Sequence, residues 1–170
     1  VYHGAECLKR IATHAHNAAR KIAGCLEKAG YKLTTKDFFD TIEVTGVNAK
    51  EIQTAALAKK INFFYPNEST VRISFDETVG CEDLHAILEI FKASRPEACT
   101  QEVIIPEKYL RKSEILSQDV FKKYRSETEM MRYIKKLERR DIALNHSMIS
   151  LGSCTLKLNA ASEMLPLSWV

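Results

Sequence analysis

The chain has 170 residues, 45% hydrophobic and 28% charged, enough for one ordinary domain or a small domain with a long extension. Its 25 Lys and Arg are mixed among 22 Asp and Glu, leaving a net charge of +3, which argues against the clustered basic surface of a nucleic-acid-binding domain. No stretch approaches the ~20 apolar residues of a membrane-spanning helix. The five cysteines (Cys7, Cys25, Cys81, Cys99, Cys154) contain no Cys-x-x-Cys pair, which excludes a zinc knuckle or a thioredoxin-like motif and fits a reducing, intracellular setting.

Residues 6–29 read as a helix, because Leu8, Ile11, Ala12, Ala15, Ala19, Ile22, Ala23 and Leu26 recur at three-and-four spacing. Gly30 follows as its stop. Phe38, Phe39, Ile42 and Val44 predict a short strand closed by Gly46. Asn48 is placed to cap a second helix through Lys60, carrying Ile52, Ala55, Ala56 and Leu57. Residues 61–65 predict a second strand, and Pro66-Asn67-Glu68-Ser69 a turn. Val71, Ile73 and Phe75 alternate with Arg72 and Ser74, the pattern of a half-buried strand. Residues 82–93 predict a third helix with Leu84, Ile87, Leu88 and Phe91 inward. This order describes a small α+β domain over 1–93, a mainly antiparallel sheet with helices on one face.

Residues 94–102, with Arg95-Pro96, read as a linker, and 103–170 as a mostly helical and irregular extension. Within it, Ser126-Glu127-Thr128-Glu129 is a capping box that starts a helix carrying Met130, Tyr133, Ile134 and Leu137 and ending near Arg139. Asn145 to Asn159 reads as a long loop, of the length that is usually functional or disordered. The chain starts without Met and ends on an apolar run from Leu165 to Val170, so it reads as a piece of something larger.

The loop Leu151-Gly152-Ser153-Cys154-Thr155-Leu156-Lys157-Leu158-Asn159 is the most chemically suggestive stretch. Gly152 permits close backbone approach, and successive N–H groups in such a turn can cradle an anion. The Gly-Lys-Ser/Thr ending of a P-loop is missing, and on the residues alone an ordinary polar turn before a helix capped by Asn159 is the favoured reading. Cys154 lies near Lys157, which can lower its pKa, but no His-plus-Asn arrangement is visible to activate it. His146 beside Met148 and Ile149 reads as a packing or supporting residue. Lys157 can form a Schiff base only if desolvated, and no hydrophobic pocket for it is legible. His14 and His16, two apart on a helix, point to different faces and make poor metal partners, and no metal site is expected.

Longer stretches carry a resemblance. Ser126-Glu127-Thr128-Glu129-Met130-Met131-Arg132-Tyr133, Lys136-Leu137-Glu138, Leu144-Asn145-His146-Ser147-Met148 and Leu151-Gly152-Ser153-Cys154-Thr155 with Lys157-Leu158-Asn159 closely resemble the middle of the glycine-decarboxylating P-protein family of the glycine cleavage system. Tyr2-His3-Gly4, Lys9-Arg10-Ile11-Ala12, Phe39-Asp40-Thr41, Ile61-Asn62 and Phe75-Asp76-Glu77-Thr78 fall in the same order. Departures are small: Leu156 where the family usually has Met, Ser150 where it often has Pro, and Arg125 where it often has His.

The resemblance implies an internal fragment of a fold-type-I pyridoxal-phosphate enzyme, a glycine dehydrogenase (decarboxylating). Residues 1–93 would be the small C-terminal domain of the first half, and 103–170 the connection into the second. The family decarboxylates glycine on pyridoxal phosphate and passes the aminomethyl group to the lipoyl arm of the H-protein. The cofactor lysine is expected in the second half, so no catalytic or cofactor-binding residue is assigned here and the chain alone is expected to be inactive. Ser153, Thr155 and Lys157, with Cys154 and His146, are expected to shape a substrate or lipoyl-arm channel. Expected partners are the rest of the P-protein or its partner subunit, the lipoylated H-protein and glycine, without nucleic acid or membrane. The bacterial cytoplasm is the expected location, with the mitochondrial matrix as the alternative. A non-catalytic interaction or regulatory domain, or part of another fold-type-I aminotransferase-like enzyme, are the competing readings.

Overall fold

The structure is a computed structural model that describes residues 1–94, 105–140, 148, 162 and 165–169. The 94–102 linker and the Asn145–Asn159 loop lie almost wholly outside these residues. Two compact units separate, Ala5–Leu116 and Val1–Gly4 with Ser117–Val170.

The first unit is α+β. Helix α1 (Gly4–Lys28) leads into β1 (Lys32–Leu33) and β2 (Thr41–Thr45). Helix α2 (Ala49–Ala58), the hairpin β3 (Phe64–Asn67) and β4 (Thr70–Ser74), and helix α3 (Cys81–Ile90) follow. The four strands form one antiparallel sheet in the order β1-β2-β4-β3. Strand β4 thus lies between β2 and β3, and α2 spans the crossover.

Alternation decides which face is covered. Ile42 pairs with Ile73 and Val44 with Val71, and all four are buried. Their neighbours Thr41, Glu43, Arg72 and Ser74 project to the opposite face, which stays open. The core cluster joins those inward residues to Ala19, Ile22 and Leu26 of α1, Ala56 of α2, and Ile87, Leu88 and Phe91 at α3. All three helices therefore cover the same face, as the sequence pattern predicts. The small side chains at Ala15, Ala18, Ala19 and Ala23 let α1 lie close to the sheet. Burying Ile22 and Leu26 completely contributes about 1.5–3 kcal/mol each. Phe91 is packed edge-on by Tyr31, whose hydroxyl donates to the Phe91 carbonyl at 2.7 Å.

Two readings are corrected. Phe38 and Phe39 lie before β2, which begins at Thr41; Phe39 is 46% exposed and stacks on His16. The strand expected at 61–65 is shifted to 64–67 and takes in Pro66. Strand β3 is a sheet edge, where the missing proline N–H costs no ladder bond. Strand β1 has only two residues and left no periodicity to read.

The second unit contains α4 (Val120–Lys123), α5 (Glu127–Glu138) and a 3-10 turn at Leu165–Ser168. Ser126 caps α5, its Oγ accepting from the Glu129 N–H at 3.3 Å. Glu129 returns to the Arg125 N–H at 3.4 Å and to the Ser126 hydroxyl, so its backbone partner lies one residue before the cap.

Candidate functional site

Histidine 16 sits on the inward side of α1 and is 1% exposed. Its Nδ1 lies 2.6 Å from the Phe39 carbonyl. A carbonyl can only accept, so Nδ1 carries the proton and donates. In the neutral ring Nε2 is then a bare acceptor, and it is buried without a hydrogen-bond partner. The imidazole stacks on Phe39 with centroids 5.8 Å apart and planes 9° apart. His14, two residues earlier, meets the Val79 carbonyl through Nε2 at 2.8 Å. The two imidazoles therefore fix two different loops to α1. Among the described residues no three His, Cys, Asp or Glu side chains gather as a metal site.

The loop that His16 fixes forms one wall of a cleft of about 810 Å³, inside the usual range for ligand sites. Ala23 and Gly24 line it from α1, Phe38 and Phe39 from the loop, and Pro106 and Tyr109 from the following segment. Arg20, Glu27, Lys36 and Asp37 add charge of both signs. No Ser, Thr or Cys among the described residues lines it, and the hydroxyl in its lining is the phenol of Tyr109. The sequence signal for this cleft was slight: a charged pair, Lys36-Asp37, directly before two aromatics. A smaller crevice of about 130 Å³ brings Lys21 and Cys25 of α1 beside Cys81 and His85 of α3. Cys81 is exposed and Cys25 is buried.

In the second unit the segment before α5 is tied to the start of the chain. Arg125 donates from Nη2 to the His3 carbonyl at 2.8 Å. Its guanidinium lies against Gly4, where an added Cβ would come within 2.9 Å of Cζ. Gly4 has φ +62, so the backbone conformation calls for glycine. Tyr124 stacks on Tyr133 of α5 with centroids 4.1 Å apart. His146, Ser153, Cys154, Thr155 and Lys157 lie outside the described residues, so the structure neither gathers nor separates them.

Elsewhere, the open face of the sheet carries one ordered polar stripe. Arg72 donates twice to Glu43 Oε2, at 3.0 and 2.6 Å, and Thr34 donates to Glu43 Oε1 at 2.9 Å. These bonds, that from Arg72 foremost, hold the Glu43 carboxyl below the usual glutamate range. The guanidinium of Arg72 also lies 5.4 Å from the centre of the exposed Phe64 ring. Burial pushes the Tyr65 hydroxyl up, and hydrogen bonds from Thr78 pull the Asp76 carboxyl down. Among the described residues no helix is long and apolar enough to cross a membrane.

Residues 1–91 match the family model for the glycine cleavage system P-protein. The chain is 47% identical over 174 residues to glycine dehydrogenase (decarboxylating) of Christiangramia forsetii, an alignment covering 99% of this chain and 18% of the relative. The same enzyme of Flavobacterium johnsoniae is 48% identical, again over 99% of this chain and 18% of the relative. That of Chromobacterium violaceum is 43% identical over the same shares. The chain thus spans under one fifth of the length of the curated relatives it matches. An alignment reaching from end to end at this identity, resting on the α+β unit that the family model covers, places the chain in the glycine cleavage system P-protein family.

Proposed function

We propose that this chain is a segment of an enzyme that decarboxylates glycine with pyridoxal phosphate and passes the aminomethyl group to the lipoyl arm of the H-protein. The observation that carries the reading is the 47–48% identity, over 99% of the chain, to two glycine dehydrogenases (decarboxylating). Residues 1–93 then correspond to the small C-terminal domain of the first half, and residues 103–170 to the connection into the second. The bacterial relatives favour the cytoplasm.

Pyridoxal phosphate does not fit the residues described here. A lysine that bonds its aldehyde at neutral pH is kept uncharged by desolvation or by a neighbouring cation. None of the described lysines is buried. The two that are half-buried are Lys21 and Lys135, and Lys135 is tied to Glu138 at 2.7 Å. The reading therefore assigns the cofactor to polypeptide that the relatives carry beyond the aligned segment. What this segment contributes is the wall of the site: Ser153, Thr155 and Lys157, with Cys154 and His146, shape the channel for glycine or the lipoyl arm.

The test is a chimera in which this chain replaces its 174-residue counterpart in the Flavobacterium johnsoniae enzyme. Glycine-dependent carbon dioxide release with lipoylated H-protein is expected to persist. Ser153→Ala, Thr155→Ala and Lys157→Ala in the chimera should each slow it. A folded, cofactor-loaded chimera with no glycine turnover would overturn the reading, and three variants with unchanged rates would remove the channel role alone.

A further inference from the structure

Helix α5 begins as a self-sufficient helix and ends as an incomplete one. Its first turn is capped by Ser126 and carries Glu127 and Glu129 against the helix dipole. Along its length Met130, Met131, Tyr133, Ile134 and Leu137 fall within one arc of the helical wheel, broken only by polar residues of the first and last turns. One flank of that arc is closed, where Tyr133 stacks on Tyr124. The rest is open: Met131 is 51%, Ile134 48% and Leu137 41% exposed. No described residue of α5 is buried. An amphipathic 12-residue helix draws most of its stability from packing this face, and an isolated helix this short is marginal in water.

We infer that the Met131–Ile134–Leu137 face of α5 is an interaction surface that docks into an apolar groove on the remainder of the longer P-protein polypeptide. The inference rests on the proposed function. The occupant follows from length: the relatives extend over more than four fifths of their chains beyond the matched segment. The groove's chemistry follows from the helix. Residues spaced i, i+3 and i+6 ask for a groove of aliphatic and aromatic side chains. Arg132 and Arg139 lie together beyond the Met131 edge of the arc, so carboxylates would complement that side of the groove.

The test is hydrogen peroxide footprinting of Met131, read by mass spectrometry. Met131 in the 170-residue chain is expected to oxidise at a rate near that of an unfolded peptide, independent of protein concentration. In the chimera with the Flavobacterium johnsoniae enzyme the rate should fall at least tenfold. Equal rates in the chain and a folded chimera would overturn the inference. So would a rate that falls as the free chain is concentrated, since a second copy would then be the occupant. Glycine turnover by the chimera reports on the proposed function separately, whatever Met131 does. A further variant needs no chimera. Ile134→Asp with Leu137→Asp should leave the free chain's unfolding midpoint little changed, because among the described residues none buries that face. A clear loss of stability would show the face already packed and end the proposal.

Discussion

Gly30 and Lys60 do the same job at the ends of α1 and α2. Each takes a left-handed conformation, φ +92 and φ +58, just past its helix. In each case the next residue bonds back, Tyr31 N–H to the Leu26 carbonyl and Ile61 N–H to the Ala56 carbonyl, both at 2.9 Å. Lys92 repeats the arrangement after α3, with φ +52 and the Ala93 N–H reaching the Leu88 carbonyl. An L side chain in this region costs roughly 1–2 kcal/mol. A Cβ added at Gly30 meets nothing within 4 Å, so Gly30→Ala isolates the backbone cost. It is expected to lower stability by about 1 kcal/mol in urea unfolding. Lys60→Gly should go the other way by about 0.5 kcal/mol, the relieved strain being partly offset by a more flexible unfolded chain. Two changes of the same sign would sink the argument. Gly30 was legible as a stop because glycine advertises the conformation. Lys60 and Lys92 were not, since lysine at such a position leaves no compositional trace.

At the level of the element, the open face of the sheet makes a pH-dependent contribution. Glu43 on β2 is bonded by Arg72 on β4 and by Thr34 after β1, and its folded-state pKa is lowered. A carboxyl lowered in the folded state adds stability that is complete above its unfolded pKa and is lost as pH falls through the folded one. The unfolding midpoint is therefore expected to drop on acidification below the ordinary glutamate range, and Glu43→Gln to flatten part of that drop. Asp76, lowered by Thr78, supplies another part and remains in the variant. If the acid limb of Glu43→Gln overlays that of the parent chain, the stripe contributes nothing. The elements differ in how far the sequence gave them away. Alternation around Arg72 and Ser74 revealed β4, and Asn48 revealed the start of α2, where its Oδ1 accepts from the Glu51 N–H at 3.3 Å. Strand β3 is hidden in the sequence because Pro66 signals a turn, whereas an edge position tolerates it. Phe38 and Phe39 have the apolar character of a strand, whereas Phe39 is kept in the loop by His16.

For the whole molecule, the division of labour is the question that composition could not reach. Hydrophobic periodicity exposed the α+β unit because its core is its own, from Ile22 and Leu26 across to Ile42, Val71 and Phe91. The chemistry was legible only as a resemblance, since Ser153, Cys154, Thr155 and Lys157 carry no signature of a reaction on their own. The cleft beside His16 was illegible for a related reason: its walls come from three separate stretches of chain. A chain with no buried lysine among its described residues should take up pyridoxal phosphate weakly and without preference. Incubating the 170-residue chain with the cofactor, reducing with borohydride and weighing the intact product tests this directly. Sub-stoichiometric labelling scattered over exposed lysines is the expected outcome, because an exposed amine is protonated near neutral pH and the aldehyde finds no pocket to hold it. One stoichiometric adduct that maps to a single lysine would mean a desolvated amine within this chain. At Lys157 in particular it would turn the proposed channel wall into the cofactor site and reverse the assignment of catalysis to the polypeptide beyond the matched segment.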